Sequence, residues 1–336
     1  MSKPHLVGIV VLVMAGWCRA QIRLDEETTV VFATVEQGRQ VLTARDEFVR
    51  NLSPFDRAAR MKTNHEVSEE AFLEFVGQNV LAWTDAEQKR IESLFAEIQP
   101  RTAAFSLPFP PTIYLIKTGG REEGGAAYTR ANAVVVPATM LGPNRMLNAN
   151  LICHELFHVL TRANPELRDR LYEVIGFKKC NEIELPAALR PRKLTNPDAP
   201  TNEHYIEVQV EGQPALAVPV LFSRSERYDP NRGGEFFQYL VFQFLLVERQ
   251  ADSPNLSVIY RDGTPRLVEA DQLSGFWEQV GRNTQYIFHP EEILADNFAL
   301  LVRQNGRIRS PEILGSLKGV LLAWPSDGTG DAGGIP

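Results

Sequence analysis

The sequence predicts an α+β fold, and three observations carry that prediction. Capping signatures and helical periodicity crowd the stretch from Asp25 to Gln99. After Pro108-Phe-Pro-Pro111 the texture changes to short alternating runs separated by glycine turns, which is the pattern of strands. Two later segments, around 150–160 and 290–301, return to a helical apolar pattern and carry titratable groups within it. With 44% hydrophobic residues in a chain of 336, there is ample material for a sizeable core. The formal charge of −7, with no basic stripe beyond Arg190-Pro-Arg-Lys193, argues against a nucleic-acid partner.

The first twenty residues follow the secretory pattern: Lys3 and His5, an apolar run from Leu6 to Trp17, and Ala20 before Gln21. Cleavage after Ala20 is expected, so residues 1–20 are read as a signal peptide and the protein as secreted or periplasmic. The run is short for a bilayer span, and Trp17 before Cys18 disfavours a lipoprotein-type site, so no stable membrane anchor is expected. The mature chain keeps Cys153 and Cys180, and free thiols are the favoured state because Cys153 lies on a buried helix.

Residues 21–100 read as a mostly helical N-terminal segment. Ser53-Pro54 and Ser68 are helix starts, and Thr84-Asp-Ala-Glu87 is a capping box opening a helix with Ile91, Leu94, Phe95 and Ile98 on one face. Whether this segment is a separate lobe is left open by the pattern. Residues 101–324 read as the catalytic domain. In it Thr112–Lys117 is a strand, and 126–129 with 133–137 a hairpin. Nothing breaks a helix between Met146 and Thr161, and Pro165–Ile175 is a second one, ended by Gly176. Tyr205–Val210 and Ala215–Phe222 flank Gly212 as a hairpin, and 257–260 with 266–269 flank Asp262-Gly263 as another. Glu235–Val247 is apolar on all sides, and its length favours a helix. Pro311–Trp324 closes the fold, and 325–336 is expected to be a disordered tail.

The chemistry concentrates in Cys153-His154-Glu155-Leu-Phe-His158, which is HExxH. On a helix, residues four apart share a face, so His154 and His158 can hold one Zn²⁺ through neutral imidazoles while Glu155 reaches a water on the metal as general base. A third ligand is sought in His289-Pro-Glu291-Glu292-Ile-Leu-Ala-Asp296. Glu292 and Asp296 are four apart, so Glu292 can ligate while Asp296 accepts a hydrogen bond from the far nitrogen of a ligand histidine. Glu291 has only Ala295 at that spacing; it stays open as a ligand but is expected to matter little if Glu292 serves. Glu166 and Glu173 are the fallback ligands. Tyr286, His289 and, less strongly, His204 are candidates to stabilise an oxyanion.

These residues resemble the gluzincin metallopeptidases, in which HExxH is followed by a glutamate helix. In thermolysin-like enzymes the ligand Glu is followed four residues later by Asp and six later by Phe, matching Glu292, Asp296 and Phe298. Ala126–Val136 looks like the edge hairpin that lies along the substrate in that group. The resemblance covers about a quarter of the chain, and the connection from His158 to Glu292 is far longer than in thermolysin-like enzymes. It implies a zincin-like domain, one Zn²⁺, and a peptide or protein substrate. The rival expectation is a secreted binding or structural protein that keeps zinc only to tie two helices together. The oligomeric state is not legible in the sequence.

Overall fold

The computed structural model describes residues 21–105, 107–142 and 147–325. The expected signal peptide, and the expected tail apart from Pro325, lie outside the described residues. The fold is mixed α and β, as expected.

The chain begins with β1 (Gln21–Arg23) and β2 (Thr29–Phe32), followed by α1 (Val35–Leu42), α2 (Glu47–Asn51), α3 (Pro54–Arg60) and α4 (Glu69–Gln78). The short β3 (Val80–Leu81) precedes the long α5 (Asp85–Thr102). Ser53, Ser68 and Thr84 cap their helices as read, Thr84 through a capping box; Ser53 and Thr34 also close capping boxes, the latter at the start of α1. Then come β4 (Thr112–Thr118), β5 (Tyr128–Arg130) and β6 (Ala133–Pro137). Together these strands form a sheet of order β1-β2-β4-β6-β5, with β3 also pairing β4 and β5 at the outer edge.

That sheet settles how the N-terminal segment is disposed. Successive residues of a strand face opposite sides, and both sides of β4 are covered. Ile113 and Leu115 join the cluster containing α5 and α6, while Ile116 joins Leu42, Phe48, Phe72 and Val76 from α1, α2 and α4. The N-terminal segment is therefore no separate lobe: it contributes three strands to the sheet and helices to both faces.

The two motif helices come next in importance. Helix α6 (Ala149–Ala163) starts at Asn148, whose side chain accepts from the N–H groups of Asn150 (2.9 Å) and Leu151 (3.1 Å), and it is followed directly by α7 (Pro165–Glu173). In α7 the side chain of Asn164 does not cap; it donates instead to the carbonyls of Pro108 and Leu160.

The Pro-rich stretch and the hairpins build a second sheet from β7 (Phe177–Lys179), β8 (His204–Val210), β9 (Gln213–Ser223) and β10 (Leu240–Arg249). The hairpin expected around Gly212 forms, with β9 starting two residues earlier than read and Glu211 (φ 55°) and Gly212 (φ 76°) making a two-residue turn. The helix expected over Glu235–Val247 is not formed. A short 3₁₀ turn at Phe236–Tyr239 leads into β10, which pairs with β9 from Leu240↔Ser223 to Val247↔Leu216. Periodicity cannot separate a buried strand from a buried helix, and the aromatic and β-branched content decided for the strand once β9 was there to pair with it. Short strands β11 (Leu256–Val258), β12 (Tyr260–Arg261), β13 (Thr264–Pro265) and β14 (Leu267–Val268) follow, with Asp262 and Gly263 turning β12 into β13. Helices α8 (Phe276–Val280), α9 (Pro290–Arg303) and α10 (Pro311–Ala323) complete the described chain.

Helix α9 lies against α6. Ile293, Leu294 and Phe298 are fully buried, and the Phe298 ring meets Phe157 at 5.5 Å. Each such side chain contributes about 1.5–3 kcal/mol by leaving water. His289 N-caps α9 by accepting from the Glu291 N–H, Pro290 follows in the first turn, and Gln304 ends it in a left-handed conformation.

One polar cluster ties the layers together. The guanidinium of Arg60 is fully buried and meets Asp56 Oδ1 (2.5 Å), both oxygens of Glu123 (2.8 and 3.1 Å) and the carbonyl of Thr195 (2.9 Å). Asp56 in turn accepts from the N–H and hydroxyl of Thr195. The loop from Thr195 to Pro200 is thus anchored to α3 by charge-assisted bonds.

Candidate metal centre

Four residues apart on α6, His154 and His158 project to the same side, with their rings 4.7 Å apart. Facing them from the first turn of α9 is Glu292, whose Oε2 lies 3.1 Å from His154 Nε2 and 3.7 Å from His158 Nε2. Two ligand atoms about 2.0–2.2 Å from one tetrahedral Zn²⁺ are roughly 3.3–3.5 Å apart, so the three atoms fit a common ion. A second observation agrees. Among the described residues His158 Nε2 is buried without a hydrogen-bond partner, a costly arrangement for a polar atom unless a cation takes it.

The outer nitrogens are also held. His154 Nδ1 meets Asp296 Oδ1 at 2.9 Å, and Thr284 donates its hydroxyl to the other oxygen of Asp296. His158 Nδ1 meets Glu291 Oε1 at 2.8 Å. Glu291 is itself gripped by the hydroxyls of Thr161 (2.6 Å) and Tyr172 (2.5 Å). The expectation that Glu291 matters little is corrected here. Turned by about a hundred degrees from Glu292 on the helix, it reaches the far side of His158 and fixes that ring as Asp296 fixes His154. We predict that Glu291→Gln and Asp296→Asn each lower metal affinity about 10–100-fold without abolishing it, as read by competition with a chromogenic chelator.

The electrostatics suit a cation. Burial works against the charge on Glu292, yet His158, His154 and the amide of Asn196 hold its carboxyl below the usual range. Burial, reinforced by Glu292, pushes Glu155 up, partly offset by His154. Glu155 is 2% exposed and accepts from the Thr129 hydroxyl at 3.0 Å. Asp198 is likewise pushed up by burial and by Glu155 and Glu292, against the pull of His158.

Of the other expected residues, Tyr286 is well placed and His289 is not. Tyr286 lines an open cavity of about 540 Å³ together with His154, Glu155, Glu292 and Asp296, and its ring stacks near His154 at 6.3 Å. The charge on Glu292, then burial, raises its phenol well above the ordinary value, so it stays a neutral donor. His289 accepts from the Glu291 N–H through Nδ1 and packs against Tyr172 and His204 behind the site. Burial, with His204 adding to it, lowers its pKa to about 3. His204 is no surface histidine: it is 2% exposed, with Nε2 3.1 Å from Asp169. Glu166 and Glu173 are exposed on α7 and take no part in the cluster. Cys153 and Cys180 are both free, the first buried.

Sequence reasoning missed the loop that crosses the site. Asn196 donates its amide to Glu292 Oε1, and Asp198 Oδ1 accepts from the Thr129 N–H at 2.7 Å. A ligating oxygen of Asp198 lies within 4.8 Å of ligand atoms of Glu155 and His158. In sequence, Thr195-Asn-Pro-Asp-Ala-Pro200 reads as turn chemistry, and no local spacing links it to either motif.

Compared with protein-family models, with curated proteins and with solved structures, the chain matches none. No helix among the described residues is long and apolar enough to cross a membrane.

Proposed function

We propose that the protein is an exported, zinc-dependent peptidase of the gluzincin kind, with His154, His158 and Glu292 holding the metal and Glu155 acting as the base. The observation that carries the reading is the convergence of His154, His158 and Glu292 on one point, with the buried Nε2 of His158 otherwise unpartnered among the described residues. A zinc ion there supplies Lewis acidity, making a water acidic near neutrality and polarising a carbonyl.

The chain's own groups do the rest. Glu155 takes a proton from the attacking water at a carboxylate oxygen and passes it to the amine nitrogen as the carbon–nitrogen bond breaks. Thr129 fixes the orientation of that carboxylate. Tyr286 offers its hydroxyl to the oxygen that becomes negative. Ala126 and Ala127, which lead into the edge strand β5 and line the cavity beside His154 and Glu155, are where an extended peptide would lie.

Asp198 favours a second reading. As a fourth protein ligand it would close the site into a structural one, joining helices without catalysis. The test is hydrolysis of a mixed peptide library by the zinc-loaded protein. The peptidase reading expects cleavage that a chelator stops and added zinc restores, whereas zinc binding with no cleavage supports the structural reading.

A further inference from the structure

We propose that this site acts on the amino-terminal residue of peptides, with Asp198 taking the free α-ammonium and a large apolar first side chain entering a pocket walled by Phe236, Phe237 and Phe288. The proposal rests on the peptidase reading above.

The first observation concerns the strand edge. β5 is the outermost strand of its sheet, so its outward N–H groups are where an incoming peptide strand would pair. The Thr129 N–H is already taken by Asp198 Oδ1 at 2.7 Å. A substrate laid along Ala126 and Ala127, which line the cavity beside His154 and Glu155, therefore meets Asp198 and stops. The wall is fixed. Arg162 donates to the carbonyls of Pro197 (3.0 Å) and Asp198 (3.1 Å), Asn196 is bonded to Glu292, and Thr195 to Asp56. An oxygen of Asp198 is within 4.8 Å of a carboxylate oxygen of Glu155, so an amine held by Asp198 belongs to a residue right beside the base.

The chemistry of the wall selects which end of the chain stops there. Asp198 presents carboxyl oxygens to the zinc-side cavity, acceptors to which an ammonium can donate and a terminal carboxylate, itself only an acceptor, cannot. Its second oxygen has no hydrogen-bond partner among the described residues, and Asp198 lines the zinc-side cavity. Arg162 lines the cavity on the opposite side of the loop, so its charge does not offer a carboxylate site facing the metal.

The second observation is independent. A pocket of about 140 Å³ shares Ala126, Ala127, Asp198 and Tyr286 with the metal cavity. Its walls are Leu221, Phe236, Phe237, Leu240 and Phe288. Apart from Asp198 at its mouth, its charged groups are Arg60 and Glu123, which pair with each other. Phe237 is 45% exposed although it borders this pocket, which an apolar guest would cover. A side chain on the residue held by Asp198 has this pocket beside it.

The experiment uses the full mature protein loaded with zinc and pairs of peptides identical in sequence, one with a free and one with an acetylated amino terminus, beginning with Leu, Phe, Gly or Asp. Stepwise release of single amino-terminal residues is expected, with kcat/KM favouring the free amine about 10–100-fold, the worth of a charge-assisted hydrogen bond. Leu- and Phe-first peptides should lead. Asp198→Asn should collapse the free-over-acetylated preference, chiefly through KM, while zinc stays at about one per chain. Phe237→Ala should cut the preference for Leu or Phe over Gly about tenfold. Binding of the same labelled peptides to Glu155→Gln should show the same order without turnover. Internal cleavage of acetylated peptides at comparable rates overturns the proposal and leaves the peptidase reading standing. Loss of zinc from Asp198→Asn overturns it by making Asp198 a ligand. Absence of hydrolysis by the zinc-loaded wild type overturns both.

Discussion

On the proposed reading, replacing Glu155 by Gln should remove peptide hydrolysis and leave zinc binding intact. The substitution keeps the size of the side chain and its contact with the Thr129 hydroxyl, so packing at this 2% exposed position is little disturbed. It removes the only function an amide cannot perform there, which is to take and return a proton. A positioned general base is worth about 10²–10⁴-fold, so kcat should fall by that factor while zinc content and thermal midpoint stay near wild type. Burial and Glu292 push the Glu155 carboxyl up, towards the range where a base is most effective at neutral pH. Activity retained by this variant would mean that another group moves the proton.

The second large effect is on stability and comes from a residue remote in sequence from either motif. Arg60→Met should cost about 3–5 kcal/mol, because it leaves Asp56 and Glu123 buried without their cation. Urea unfolding measures this directly. Burial, opposed by Arg60, already raises Glu123 to about 7. A carboxyl raised above its unfolded value binds its proton more tightly in the folded state, so its contribution is present below the unfolded pKa and is lost as pH rises through the folded one. Without Arg60 the folded value rises further, so the deficit of the variant should widen as pH rises above about 6, where wild-type Glu123 begins to lose a proton that the variant keeps. Adding Glu123→Gln should recover part of the loss, since the unpaired charge rather than the missing contact carries much of the cost. A loss below about 1 kcal/mol would show that the cluster does not anchor the loop.

What was legible in the sequence is what local chemistry writes down. Thr84 and Ser53 announce their helices because a cap acts on the N–H groups three residues away. His154, His158, Glu292 and Asp296 were readable because helical spacing alone puts each pair on one face. Residues whose roles depend on tertiary contact were not. Glu291 ranks below Glu292 on spacing and is expected to matter little, yet it meets His158 across two packed helices. His289 carried a plausible donor group, but capping α9 turns its ring behind the site. Asp198 and Asn196 sit at the candidate site on a loop pinned by Arg162 and, across well over a hundred residues of sequence, by Arg60 and Asp56. The strand β10 was misread for a related reason, since its partner β9 and not its own pattern decided its state.

The central claim is that His154, His158 and Glu292 form one metal site. The most direct measurement is the zinc content of the purified mature protein after equilibrium dialysis, compared with His158→Ala and Glu292→Gln, with folding checked by circular dichroism. The account predicts about one zinc per chain in the wild type and little or none in either folded variant, because each loses one of three converging ligands. Full zinc in both folded variants, or no zinc in the wild type at micromolar metal, would contradict it.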